Sequence, residues 1–177
     1  MCSLEKKALK IRKVYVLLIS LSIASFCLAT AVRAHSNDRA QIIYFESDTL
    51  TYNNKMKLGI YQGHIKLTQD SGVLTADYAT SYFDKNGQIN KVVAIGNPAR
   101  YQAFVFPNRP KLIATGKMIY YYPKKDYLEA LGNAEIVQGQ NHFKGHQINY
   151  DFKTKTIGSP LSKKGHTQII IAPLNHE

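Results

Sequence analysis

The stretch GKMIYYYPKKDYLEALG, residues 116–132, contains one full copy of the pattern that decides the fold. Apolar and polar residues alternate around Ile119 and Tyr121, with the period of a half-buried strand. Pro123 and the lysines after it interrupt the alternation, and a second apolar run continues to Gly132. We therefore predict a strand, a tight turn, a return strand and a glycine bend.

The same unit occurs four times along the chain, including this copy. A tyrosine is followed three residues later by a lysine at Tyr52, Tyr82, Tyr121 and Tyr150. A small residue stands five or six places before each tyrosine, and a glycine follows each unit; these residues are Ser47, Ala76, Gly116 and Gly145, and then Gly63, Gly96, Gly132 and Gly158. Chance spacing in a chain rich in tyrosine and lysine is the alternative explanation.

Repeated hairpins indicate an all-β fold. One hairpin cannot bury its own apolar face, whereas stacked hairpins can. Such a stack can close as a sandwich, a jelly roll or a barrel, and the pattern alone does not choose among them.

The N-terminal segment, residues 1–34, has the form of a signal peptide. Positive charges between Lys6 and Lys13 precede an apolar run from Val14 to Ala31, and Val32-Arg33-Ala34 offers a cleavage site with small residues at its key positions. We predict one domain over residues 35–177. The alternative is a retained membrane anchor, because the apolar run approaches the roughly 18–20 residues that span a bilayer.

Cysteine and charge limit the chemistry of the mature chain. Cys2 and Cys27 both lie in the N-terminal segment, so no disulfide, thiolate nucleophile or Cys-ligated zinc is expected after cleavage. The full chain has a net charge of +11, and the segment holds six basic residues and one acidic residue, which leaves +6. That charge suits an anionic partner, or is simply a soluble basic surface.

Motifs for catalysis, metal binding or cofactors do not stand out. His142 and His146 lie four residues apart without a third ligand nearby, so we expect exposed polar residues and no metal site. No nucleophile elbow, phosphate loop or dinucleotide fingerprint occurs, and basic residues are scattered, which disfavours nucleic acid. We predict a protein that is not an enzyme and needs no cofactor; an enzyme on a β scaffold remains the alternative.

Five segments resemble the recurring elements of the LptA/OstA-like family: 43–48, 63–65, 74–77, 96–99 and 131–136. The similarity extends from about residue 41 to about residue 172. The resemblance implies a twisted, open β-jelly roll that carries lipopolysaccharide across the periplasm, with acyl chains in an apolar groove and the head group outside. A membrane-anchored, LptC-like component of the same pathway is the second possibility that it leaves open.

A lipid-binding groove on the inward side of the sheet is the main site implied. Ile43, Phe45, Tyr101 and Tyr121 match positions that line the family's groove. The full predicted set is Ile43, Phe45, Leu50, Tyr52, Ile65, Leu67, Leu74, Ala76, Val93, Ile95, Tyr101, Ile119, Tyr121, Ile136, Phe143 and Ile148. An ordinary hydrophobic core would use the same residue types.

Terminal strands form a second predicted surface, because an unpaired strand edge invites another chain. The edge residues are Ile42 and Tyr44 at one end and Gln168, Ile169, Ile170 and Ile171 at the other. The resemblance implies an LptC-like partner at the first edge and an LptD-like partner, or a further copy in a head-to-tail homo-oligomer, at the second. A buried closing strand is the alternative for 169–171.

Basic residues at the groove rim are candidates to meet the phosphates of lipid A. They are Arg39, Arg100, Arg109, Lys111, Lys163 and Lys164. For Lys163 and Lys164, a solvated turn is the alternative.

Overall fold

The computed structural model describes residues 42–161 and 165–173, which form a single antiparallel sheet of ten strands. The strands are β1 (Tyr44–Glu46), β2 (Thr49–Asn53), β3 (Leu58–Gln69), β4 (Gly72–Phe83), β5 (Ile89–Ala103), β6 (Leu112–Tyr122), β7 (Tyr127–Gln138), β8 (Asn141–Asp151), β9 (Thr156–Gly158) and β10 (Gln168–Ile170). The predicted signal peptide, 1–34, lies outside the described residues. No helix in the described ranges is long and apolar enough to cross a membrane.

Strands β3 to β8 are neighbours in chain order, so each pair is a hairpin. At one edge, β1 and β2 both pair with β3, and at the other edge β9 and β10 both pair with β8. Each edge is therefore a strand broken in two. The prediction of an all-β fold built from antiparallel hairpins is confirmed.

A bend runs across the sheet at one level. The pairing register shifts between Gln62 and Ile65 in β3, and corresponding shifts occur in every pair through β7 and β8. Two of these bends use successive residues with left-handed backbone: Gly63 and His64 have φ of 77° and 44°, and Gly132 and Asn133 have φ of 73° and 54°. Glycine and asparagine adopt this conformation readily, which explains the Gly132-Asn133 pair at the bend of β7.

The bend folds the sheet over its own inward face. Leu112 and Tyr121 lie nine residues apart on β6, a span of about 30 Å in a flat strand. Even so, the Tyr121 hydroxyl reaches Gln69, at the end of β3 that lies near Leu112, and donates a 2.9 Å hydrogen bond to its Oε1. Across the same fold, the rings of Phe45 and Tyr61 stack with centroids 4.1 Å apart. The core lies between the two halves of one sheet.

The repeat seen in the sequence marks turns and bends. Gly116 sits at the bend of β6, where an added Cβ would lie 2.8 Å from the Leu131 carbonyl oxygen, so only glycine allows this approach to β7. The lysine of each Tyr-x-x-Lys unit lies in or beside a hairpin turn. The tyrosines do not share a face, however, because Tyr82 points outward opposite Leu58 while Phe83 next to it points inward.

Candidate functional site

The inward face of the folded sheet is apolar and carries no charge. Among the described residues, its buried side chains are aliphatic, tyrosine, alanine, Gln69 and Ser81. Ser81 is satisfied by a 3.1 Å hydrogen bond with the Tyr61 hydroxyl. A face of this composition can hold apolar chains.

Two tyrosines on the central strands β5 and β6 meet across the fold. The rings of Tyr101 and Tyr121 have centroids 5.4 Å apart, and Phe152 packs edge-on against Tyr101 at 5.5 Å. Burial raises the pKa of Tyr101 to about 12 and raises the pKa of Tyr121 as well, because the phenolate would be poorly solvated there. Both side chains are therefore neutral at physiological pH and act as large amphipathic surfaces.

Most of the predicted groove residues lie on this inward face. Nine of them are buried: Ile65, Leu67, Leu74, Ala76, Tyr101, Ile119, Tyr121, Ile136 and Ile148. Ile43, Phe45 and Phe143 are partly buried and pack against that core. The structure thus brings these side chains together, and their contact with lipid stays a prediction.

Leu50 and Tyr52 also point inward but are not covered. Their cross-strand partners on β3 are Tyr61 and Gly59, which both belong to the inward face. Leu50 is nevertheless 59% exposed and Tyr52 50% exposed, because β2 is an edge strand and has a neighbour on one side only. Tyr52 keeps one edge-on ring contact, to Phe83 at 5.4 Å.

Val93 and Ile95 were wrongly predicted to point into the groove. Val93 lies opposite Thr80 and Tyr120, and Ile95 lies opposite Tyr78 and Met118, all on the outer face. The inward positions of β5 are taken instead by Val92 and Ala94, which are fully buried. The register shifts between Ile95 and Ala99, so alternation counted back from the inward Tyr101 assigns the wrong face before the bend.

Several inward residues were missed by the sequence reasoning. Besides seven alanines, they are Tyr61, Val92, Leu112, Leu128 and Tyr150. Leu128 and Tyr150 alternate in phase with the buried Ala130 and Ile148, so a strict period of two would have found them.

The predicted edge residues lie at the two edges of the sheet. Tyr44 is in β1, Ile42 precedes it, residues 168–170 form β10 and Ile171 follows it. All of these side chains are exposed. Ile169 lies opposite Phe143 and so faces inward, yet it is 58% exposed. Docking of a partner at either edge stays a prediction.

The predicted basic residues do not form one cluster. Arg100 points outward from β5 and donates to Gln102 at 3.0 Å. Arg109 and Lys111 lie in the loop between β5 and β6, over the rings of Phe106 and Phe104. Arg39, Lys163 and Lys164 lie outside the described residues.

His142 Nδ1 is hydrogen-bonded to Glu135 Oε1 at 3.0 Å, an ordinary surface pair.

Comparison with known proteins identifies relatives of the whole folded region. Residues 44–156 match the family model described as LptA/(LptD N-terminal domain) LPS transport protein. The lipopolysaccharide export system protein LptH of Pseudomonas aeruginosa is 30% identical over 123 residues, which cover 70% of this chain and 70% of that protein. LptA of Escherichia coli K12 is 24% identical over 158 residues, covering 88% and 85% of the two chains.

A solved structure has the same fold. The crystal structure of LptH, the LptA-homologous periplasmic component of the lipopolysaccharide transport device of P. aeruginosa, superposes with a TM-score of 0.70. It is 26% identical in sequence and covers 77% of this chain and 99% of its own. The open, jelly-roll-like sheet predicted from the sequence is therefore confirmed.

Proposed function

Because the chain belongs to the LptA/LptD N-terminal domain family of lipopolysaccharide transport proteins, we propose that it is a periplasmic bridge that carries lipopolysaccharide. Its relatives are named as export proteins and not as enzymes, and we assign it no catalytic role. The observation that carries the proposal is the uncharged inward face, which continues without cover into the edge residues Leu50, Tyr52 and Ile169.

The acyl chains bind on this inward face. Uncovered apolar side chains there give about 25 cal/mol for each Å² removed from water, so an extended chain gains substantially from lying along them. The middle of the face is already filled by its own side chains, since Leu67, Leu74 and Ile119 are completely buried. A chain that reaches the middle must therefore part the two halves of the sheet and separate Tyr121 from Gln69.

Photo-crosslinking tests the assignment of the face. A photoreactive residue at Phe45 or Tyr52 should label with lipopolysaccharide in living cells, because both side chains point inward. Their neighbours on the same strands, Tyr44 and Thr51, point outward and are the matched controls. Equal labelling at all four positions, or labelling only at the outward pair, would contradict the proposal.

Partner docking at the two edges is the finer part of the proposal. β1 would meet an LptC-like partner and β10 an LptD-like partner or a further copy of the chain, so that neighbouring inward faces join. Short edge strands with exposed side chains support this, because their free backbone groups can pair with another strand.

Deletion of residues 167–177 separates partner docking from self-assembly. Sedimentation of the unaltered protein over a range of concentrations first shows whether it associates. If the protein stays a monomer and the deletion still abolishes transport, the edge docks a different partner. If the unaltered protein forms chains that the deletion disperses, the edge joins copies. Unchanged transport after the deletion would argue against any role for β10.

A further inference from the structure

Positive charge is concentrated at one end of the sheet. Strands β2 to β9 alternate in direction, so the turns 54–57, 84–88, 123–126 and 152–155 all lie at the same end. These four turns, the lysine rim, contain two acidic residues, Asp84 and Asp126, and seven lysines: Lys55, Lys57, Lys85, Lys124, Lys125, Lys153 and Lys155.

The opposite end of the sheet is nearly neutral. Its turns, 70–71, 104–111 and 139–140, contain Asp70, Arg109 and Lys111 as their only charged residues. Charge is therefore distributed unevenly between the two ends. A basic surface that served solubility alone would not need its positive charge concentrated at one end of the sheet.

The four turns of the lysine rim form one continuous row. The Phe83 amide donates to the Lys57 carbonyl oxygen at 2.9 Å, and Lys124 forms an ion pair with Asp84 in the next turn. The Phe152 amide donates to the Asp126 carbonyl oxygen at 2.9 Å. Neighbouring turns are thus linked to one another, and all seven lysines are exposed.

Most of the rim lysines lack an acidic partner. Of the seven rim lysines, only Lys124 and Lys153 lie within 4.0 Å of a carboxylate of the described residues. Lys55 and Lys85 are exposed, and Lys125 lies over the ring of Tyr122 at 5.4 Å. Lys155 lies 4.4 Å from the ring of Phe106 in the 104–111 loop, because the folding of the sheet brings its two ends together at this point. A row of unneutralised cations repels itself, and an anion carrying more than one charge relieves that repulsion.

Exposed apolar side chains lie directly beside these cations. Met56 stands between Lys55 and Lys57 and is 64% exposed. Tyr52, on the strand that leads into this turn, is one of the uncovered inward residues and contacts Phe83. The rim therefore joins a cationic surface to the start of the apolar inward face, an arrangement suited to a ligand whose anionic groups are attached close to its apolar chains.

We propose that the lysine rim binds the phosphate groups of the glycolipid whose acyl chains lie on the inward face. This inference rests on the proposed carrier function. Lysine ammonium groups donate charge-assisted hydrogen bonds to phosphate oxygens, and several on one rigid row can hold two phosphates at once. The rim then fixes which end of the lipid stays outside.

Two lipids of equal acylation test the rim: bisphosphorylated lipid A and monophosphorylated lipid A. The unaltered protein should bind the first about three- to tenfold more tightly, the range expected for a few solvent-exposed charge pairs. The triple variant Lys55→Gln, Lys85→Gln, Lys125→Gln should lose most of this preference, because its affinity for the bisphosphorylated lipid should fall more than its affinity for the monophosphorylated lipid. Added salt should reduce the preference of the unaltered protein in the same way.

A second triple variant controls for net charge. Lys66→Gln, Lys117→Gln, Lys144→Gln removes the same charge from exposed positions outside the rim and should keep the preference. Equal loss in both variants, or no loss in the rim variant, would overturn the proposal. If inorganic phosphate at the same concentration as the lipid displaced either lipid, the rim would be assigned to free phosphate instead. If the unaltered protein bound neither lipid, the carrier function itself would be refuted, and the rim proposal with it.

Discussion

The middle of the sheet and its two edges carry the same alternating pattern but have opposite environments. In β6, Ile119 and Ala114 are completely buried. In β2 and β10, Leu50 and Ile169 also face inward, yet more than half of each side chain is exposed. The difference arises because a central strand has neighbours on both sides, whereas an edge strand has a neighbour on one side only.

The contrast indicates that different residues of the same inward face contribute to stability and to binding. The central inward residues hold the two halves of the sheet together through close packing. The inward residues at the edges add little to folding and remain available to a ligand or to another chain. A carrier of apolar chains requires both properties, because it must stay folded while leaving apolar surface uncovered.

Truncation of an inward aliphatic residue tests the contrast most strongly. Ile119→Ala should lower the free energy of unfolding by about 2–5 kcal/mol, because it leaves a cavity in a filled core. Leu50→Ala, at an inward but uncovered position, should change it by no more than about 0.5 kcal/mol. Urea unfolding of the two variants measures both values. Similar losses would show that β2 is packed as tightly as β6.

Alkaline pH should also lower the free energy of unfolding, by somewhat less than Ile119→Ala does, through a buried tyrosine in the middle of the sheet. Tyrosine in an unfolded chain titrates near pH 10, whereas burial raises the pKa of Tyr101 to about 12. Between these values the unfolded chain loses a proton that the folded chain keeps, so the stabilisation is complete below pH 10 and is lost as the pH rises through 12. For Tyr101 this amounts to about 2–3 kcal/mol.

Variants at two tyrosines measure that loss. Tyr101→Phe should lose less unfolding free energy between pH 10 and pH 12 than the unaltered protein does. Tyr44→Phe, on the exposed edge strand β1, is the control and should show the same decrease as the unaltered protein. A slope that is the same in the unaltered protein and in Tyr101→Phe would contradict the assignment of the loss to this side chain.

Removal of a single hydroxyl should have the smallest effect. Tyr121→Phe deletes the hydrogen bond to Gln69 that joins the two halves and should cost about 1 kcal/mol. Tyr52→Phe, at an uncovered position, should change stability by less than about 0.5 kcal/mol. Thermal unfolding can resolve the two variants. If Tyr121→Phe had no effect, this contact would not contribute to closing the sheet.

Much of the fold could be predicted because its signals are local. The Tyr-x-x-Lys units identify four hairpin turns, and Gly132-Asn133 identifies a bend, since turns and left-handed backbone depend on the residues at that point. The inward assignment of Ile65, Leu74 and Ile136 followed from alternation within one strand segment. Alternation failed across the bend, where a shift of register turns the next side chain to the other face.

The amino-acid sequence by itself determined that the chain forms hairpins, where they turn and which segments alternate, because each of these depends on neighbouring residues. Only the tertiary structure decided that Val93 and Ile95 face outward, that Leu50 and Tyr52 remain uncovered, and that lysines from four distant turns form one row. These properties depend on pairing between strands and on the folding of the sheet over itself. They therefore arise from residues far apart in the chain.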